Sequence, residues 1–199
     1  MTLKELHDAT AALGFEDELE SASGFFAAAN RALYCANRIR PRVAELEVTV
    51  SEDGSSAQDK EIDGKRYRRV DVKSKCADFL CLMPTPVLRG TLPLRENEDF
   101  IVLDRGTVFL PCDRSGLYRI RYFKKLRRLT NDDEEAEIDL DEDICQILPL
   151  LVASYVWLED EEEKAEKYKA LFYSEASRIE SFSKKSRYDA YNLDEGWRD

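Results

Sequence analysis

With 199 residues, 43% of them apolar, the chain can bury one good core and has too much apolar content for wholesale disorder. Its 41 acidic against 30 basic residues give a net charge of −11, which argues against general adhesion to nucleic acid. Five cysteines (Cys35, Cys76, Cys81, Cys112, Cys145) without a Cys-x-x-Cys spacing, and a single histidine, supply no zinc ligand set, so reduced thiols are expected.

In chain order, Thr2 and Glu5 form a capping box that opens a helix carrying Leu3, Leu6 and Leu13, with Gly14 as its stop. His7 lies on it with no nucleophile or carboxylate motif beside it, and is expected to be an exposed or minor packing residue. A second helix is predicted from Ser23 to Arg40, with Phe26, Ala29, Leu33, Ala36 and Ile39 on its apolar side and Pro41 ending it.

From Val43 the apolar period changes to two. Val43 to Val50 reads as a strand and Ser51 to Gln58 as a polar loop. Further strands are predicted at Arg66 to Val72 and at Ala77 to Met83, the latter ended by Pro84-Thr85-Pro86. Phe100 to Leu103 and Thr107 to Leu110 flank the compact turn Asp104-Arg105-Gly106. After a loop from Pro111 to Gly116, Leu117 to Phe123 alternates as the last strand. Arg119, Arg121, Lys124, Lys125, Arg127 and Arg128 then interleave with Tyr118, Tyr122 and Phe123. Basic residues among aromatics can form a single-strand-binding surface. The dense acidic run from Asn131 to Asp143 would repel phosphate, so a solvated or inter-subunit charged face is the preferred reading. The acidic run itself is expected to be a solvated loop.

The stretch from Asp139 to Phe182 predicts a long helical hairpin. Asp139 with Glu142 forms the expected capping pair. The first arm then places Ile144, Ile147, Leu148, Leu151, Val152, Tyr155 and Leu158 at helical spacing. Leu150, Ala153, Val156 and Trp157 occupy the opposite side, so the helix is apolar nearly all round. Such a helix is central to its domain or shared with another subunit. Pro149 inside it predicts a kink. The second arm opens with the capping pattern Asp160 and Glu163 and carries Ala165, Tyr168, Phe172, Ala176, Ile179 and Phe182. Beyond it, Tyr188, Tyr191, Leu193 and Trp197 are spread among charges without a period. They suit docking into a partner's groove or packing back on the same domain.

Tyr118-Arg-Ile-Arg-Tyr122, an acidic spacer and Ile144-Cys-Gln-Ile-Leu-Pro-Leu-Leu-Val-Ala-Ser154, continued by Tyr155-Val-Trp-Leu-Glu-Asp160, Lys164-Ala165, Tyr168 and Phe172, together resemble the head–tail adaptor (connector) proteins of tailed bacteriophages. The likeness covers roughly Leu117 to Phe182, and the remainder in outline only. It departs from the family where the strand runs into Lys124-Lys125-Leu126 in place of a Pro-containing turn. The resemblance implies a homo-oligomeric ring, typically a dodecamer, beneath the portal protein. Such a ring extends the DNA channel, passes DNA without sequence-specific binding, and offers a platform for the stopper or tail protein. It also implies a place in the virion, and in the host cytoplasm during assembly.

The fold class expected is thus α+β: a helical bundle with a C-terminal antiparallel helical hairpin and an inserted antiparallel β-sheet or small barrel. One domain is expected over 1–183, with helices 2–13, 23–40, 141–158 and 160–183, a β insertion at 43–123 and a tail at 184–199. The candidate partner or oligomer interface is Tyr155, Trp157, Tyr188, Tyr191, Leu193 and Trp197. No catalytic, cofactor-binding or metal-ligating residues are expected, because no phosphate loop, histidine pair or nucleophile motif is present. No membrane span or signal-peptide core is legible. Two other classes stay open: another tail-completion protein, and a cytosolic interaction or regulatory protein that shares the hairpin. Abundant Asp and Glu also leave a metal-dependent site open.

Overall fold

Local capping and period explain most of the secondary structure. A computed structural model describes residues 1–14, 22–51, 59–130, 135–158 and 160–195, with side chains throughout except at 22–23 and 181–195. The chain is α+β and divides into two compact units, Met1–Arg40 with Arg128–Asp199, and Pro41–Arg127. The single domain read over 1–183 is therefore two units, the second inserted into the first.

The discontinuous unit holds α1 (Leu3–Ala11), α2 (Ala22–Ile39), α4 (Glu142–Val156) and α5 (Glu162–Glu195). Thr2 and Glu5 close the capping box: Glu5 N–H donates to Thr2 Oγ1 at 3.1 Å, and Thr2 N–H to Glu5 Oε2 at 2.8 Å. α4 packs against α1, α2 and α5, which explains why it is apolar nearly all round. It buries Ile144, Cys145, Leu148, Leu151, Val152 and Ala153, while the buried Ser154 hydroxyl donates to the Leu151 carbonyl at 2.7 Å. α2 turns a face of small residues inward, Ala28, Ala29, Ala32 and Ala36, together with Phe25 and Leu33. Phe25, not Phe26, is thus its buried aromatic. α5 buries the predicted stripe of Ala165, Phe172 and Ala176, and the Tyr168 hydroxyl donates to the Leu13 carbonyl at 2.9 Å.

Several expectations are corrected in this unit. The N-cap of α4 is Asp141, whose carboxylate accepts from Asp143 N–H, rather than Asp139. Pro149 does lie inside α4, as read. Leu158 lies beyond the helix and is exposed. α5 continues to Glu195, past the end read at 183, because no Gly or Pro interrupts Ser183 to Glu195, and loss of an apolar stripe does not itself stop a helix. The acidic connection is not wholly a solvated loop. Ile138 and Leu140 are buried, Ile138 N–H donates to the Met1 carbonyl at 2.9 Å, and Glu137 bridges to Thr2. Residues 131–134 of that run, like most of the predicted loop from Ser51 to Gln58, lie outside the described residues.

The inserted unit contains β1 (Val43–Val50), β2 (Asp59–Ile62), β3 (Lys65–Asp71), α3 (Val72–Lys75), β4 (Phe79–Arg89), β5 (Leu92–Pro93), β6 (Ile101–Val102), β7 (Thr107–Pro111) and β8 (Gly116–Lys124). They form two four-stranded antiparallel sheets, ordered β1-β8-β4-β5 and β2-β3-β7-β6, with no closed barrel among the described residues. Val48, Val50, Val70, Phe79, Val87, Phe100, Leu110, Tyr118, Ile120 and Tyr122 share one core. First and last strands pair along their length, from Val43 opposite Phe123 to Val50 opposite Gly116. The unit therefore begins and ends side by side, which is how it can interrupt a helical unit without a linker. Pro84 and Pro86 do not end β4. Leu82 lies opposite Tyr122 and Val87 opposite Ile120, so the prolines sit in a bulge where the ladder needs no N–H. β2 was missed although Asp63-Gly64, with φ of 50° and 72°, is the two-residue hairpin signal.

Candidate interaction surface

The two members of the predicted interface whose side chains are described lie at the C-terminal end of α4, where they are engaged within their own unit. Trp157 is 8% exposed, with Lys164 Nζ 4.3 Å from its ring centroid, and Lys164 also meets Glu161 at 2.7 Å. It is a packing residue, which removes it from the surface set. Tyr155 is half-buried. Arg31 of α2 lays its guanidinium 4.3 Å from the Tyr155 ring centroid, and Cys35 Sγ lies 3.3 Å from the hydroxyl. Burial, followed by the Cys35 contact, pushes the Tyr155 phenol up to about 12. Tyr188, Tyr191 and Leu193 fall on the last turns of α5, with side chains outside the description, and Trp197 lies outside the described residues.

Around Tyr155 the structure brings together residues that periodicity had not singled out. On α2, Tyr34 is 61% exposed, and Arg38 places its guanidinium 5.9 Å from the Tyr34 ring centroid. On α5, Tyr173 is 43% exposed and packs edge-on against Phe172 at 5.3 Å, while Lys169, one turn before it, pairs with Glu166 at 2.9 Å. Arg31, Tyr34 and Arg38 recur at three- and four-residue spacing, so their common side was legible once polar periodicity was considered. Tyrosine and arginine are the residue types enriched at protein interfaces. Neither Arg31 nor Arg38 meets a carboxylate among the described residues.

The basic and aromatic strand β8 is not a stacking platform. Tyr118 and Tyr122 point into the core, where their hydroxyls donate to the Arg114 carbonyl at 2.6 Å and to Asp78 Oδ1 at 2.9 Å. Burial pushes both phenols up, and Tyr122 further through Cys76 and Asp78. On the other face Arg119 and Arg121 lie 3.5 and 3.6 Å from the two oxygens of Glu45 on β1. These arginines serve a cross-strand charge pair. At the end of the acidic stretch, Arg40 meets Asp141 at 3.0 Å and Asp143 at 3.6 Å.

His7 packs edge-on against Phe25 at 4.9 Å. None of the five cysteines is in a disulfide. Among the described residues no three His, Cys, Asp or Glu side chains gather as a metal-holding group, and no helix is long and apolar enough to cross a membrane. The chain matches no protein-family model, and no curated protein is significantly similar to it.

Proposed function

We propose that the protein is a virion structural component, a head–tail adaptor whose subunits form a ring beneath the portal, extend the DNA channel and join capsid to tail. The observation that carries this reading is the pattern from Leu117 to Phe182, in which a Tyr-bearing final strand leads through an acidic spacer into two apolar helices. The helix–helix, strands, helix–helix order, with its β unit inserted by way of the paired strands β1 and β8, supports it. In this reading α4 and α5 are the antiparallel hairpin of a helical bundle, and the Tyr–Arg face is subunit or portal contact area.

The partners are the portal protein, a stopper or tail protein, and further copies of the chain, a dodecamer in the virion. DNA passes through the acidic channel without base contacts, because like charge keeps phosphate from adhering. Assembly takes place in the host cytoplasm, and no catalytic step or cofactor belongs to the role. Tyr188, Tyr191, Leu193 and Trp197 serve as terminal anchors, since large aromatics are effective contact residues.

The test is co-expression with the portal protein of the same phage, followed by affinity capture and electron microscopy. A stacked ring on the portal is expected, and deletion of Lys184 to Asp199 should reduce capture while leaving the melting temperature nearly unchanged. A chain that neither binds portal nor enters tailed particles overturns the proposal.

A further inference from the structure

The face formed by α2, α4 and α5 around Tyr155 has two guanidiniums without carboxylate partners among the described residues, in a chain with 41 acidic residues. Arg31 and Arg38 are both exposed, and each is laid on a tyrosine ring. Such a ring pre-positions a guanidinium and leaves its N–H edge free for an incoming oxyanion. The same unit carries a complementary patch. Asp160, Glu162 and Glu163, at the turn leading into α5, are exposed, and no ion pair joins them to a described residue. Their neighbour Glu161 is already held by Lys164.

Arg31 lies at the end of α4 that leads into the turn but makes no ion pair with the turn's described residues, and Arg38 lies out of that turn's reach. Arg40 at the end of α2 meets Asp141 at the start of α4, whereas Arg31 meets Tyr155 near the end of α4. The two helices therefore run antiparallel, and Arg38 lies toward the end of α4 remote from the acidic turn. Two unlike, complementary patches on one subunit make a head-to-tail contact, the kind that closes into a ring when the rotation per subunit permits.

We propose that the Arg31, Tyr34, Arg38, Tyr155 and Tyr173 face receives the acidic α4–α5 turn of a second copy of the chain. This rests on the self-assembling subunit proposed above and names the two surfaces that meet. Arg31 and Arg38 donate to the carboxylates of Asp160, Glu162 and Glu163, while Tyr34 and Tyr173 supply apolar area around the ion pairs and keep water from them. Because the contact is charge-assisted, added salt weakens it.

The experiment is sedimentation velocity of the full chain over a concentration series at low and high salt, with two charge-reversed variants, R31E/R38E and E162K/E163K. All four positions are exposed, so each variant should fold, with E162K/E163K melting slightly lower because it places cations in the first turn of α5; circular dichroism checks both. Each variant alone should associate at least about tenfold more weakly than the parent. An equimolar mixture of the two should regain association, since each then supplies the charge that the other lacks. If the parent assembles and the variants assemble equally well, the contact lies elsewhere; the inference falls and the assembly reading stands. If each variant alone is monomeric and the mixture stays monomeric, the acidic turn is not the occupant, and the inference falls. A parent that remains monomeric throughout, and forms no ring with portal, overturns both.

Discussion

Phe172 and Leu171 are adjacent on α5 and have opposite surroundings, which makes them a sharp test of the helical core. Phe172 is 0% exposed and Leu171 43%. A buried aromatic removes about 150–250 Å² from water, and at about 25 cal/mol per Å² that is a ceiling of roughly 4–6 kcal/mol. Truncation to Ala retains Cβ and leaves a cavity that its neighbours close only in part, so Phe172→Ala should cost about 3–5 kcal/mol. Leu171→Ala gives up only a partly covered side chain and replaces one good helix former by another, so its effect should stay at about 1 kcal/mol or less. Urea unfolding followed by helical circular dichroism reads both. The expected outcome is a lowered midpoint with unchanged slope for Phe172→Ala and a curve close to the parent's for Leu171→Ala. Equal effects at the two positions would refute the phase of α5 and its packing on α4.

Three further outcomes follow from particular contacts. Asp104 Oδ1 accepts from the backbone N–H groups of Gly106 and Thr107, both at 2.8 Å, and the first of these chiefly holds the carboxyl below its usual range. Its contribution is therefore complete above an ordinary value of about 4 and is lost as pH falls through the folded value. Asp104→Asn should flatten the acid limb of a stability-against-pH curve, and an acid limb identical to the parent's would count against it. For Tyr155 the sign is opposite: with the phenol raised to about 12, its contribution stands below the ordinary value of about 10 and is lost as pH rises through about 12. Tyr155→Phe should remove one late-titrating phenol from the ultraviolet phenolate curve, and an unchanged late phase would contradict this. Gly64 has φ 72°, with nothing within 4 Å of an added Cβ, so Gly64→Ala should cost about 1–2 kcal/mol through backbone strain alone. Gly64→Asn should recover much of that in thermal melts, and equal losses would point to a steric cause.

Much of the architecture was legible because it depends on residues close together in the chain. The Thr2–Glu5 capping box, the Ala165, Phe172 and Ala176 stripe, the alternation in β8 and the period change at Val43 are local patterns, set by backbone geometry and by which side of an element avoids water. The interface set was legible less well. An apolar position reports burial without saying against what. Trp157 therefore read as a contact residue, although Lys164 and its own unit cover it. Arg31, Tyr34 and Arg38 were passed over because apolar spacing drew the reading to the other side of α2.

By itself the sequence determined the α+β class, with strands between two helical halves, and the helical and strand periods. Only the tertiary structure decided that β1 pairs with β8, that β4 continues through Pro84 and Pro86, that the 1–183 stretch forms two units, and that β8's tyrosines face a core while its arginines meet Glu45. Those outcomes depend on partners far away in the chain. Strand pairing and burial are collective free energies of packing, and no window of neighbouring residues contains them.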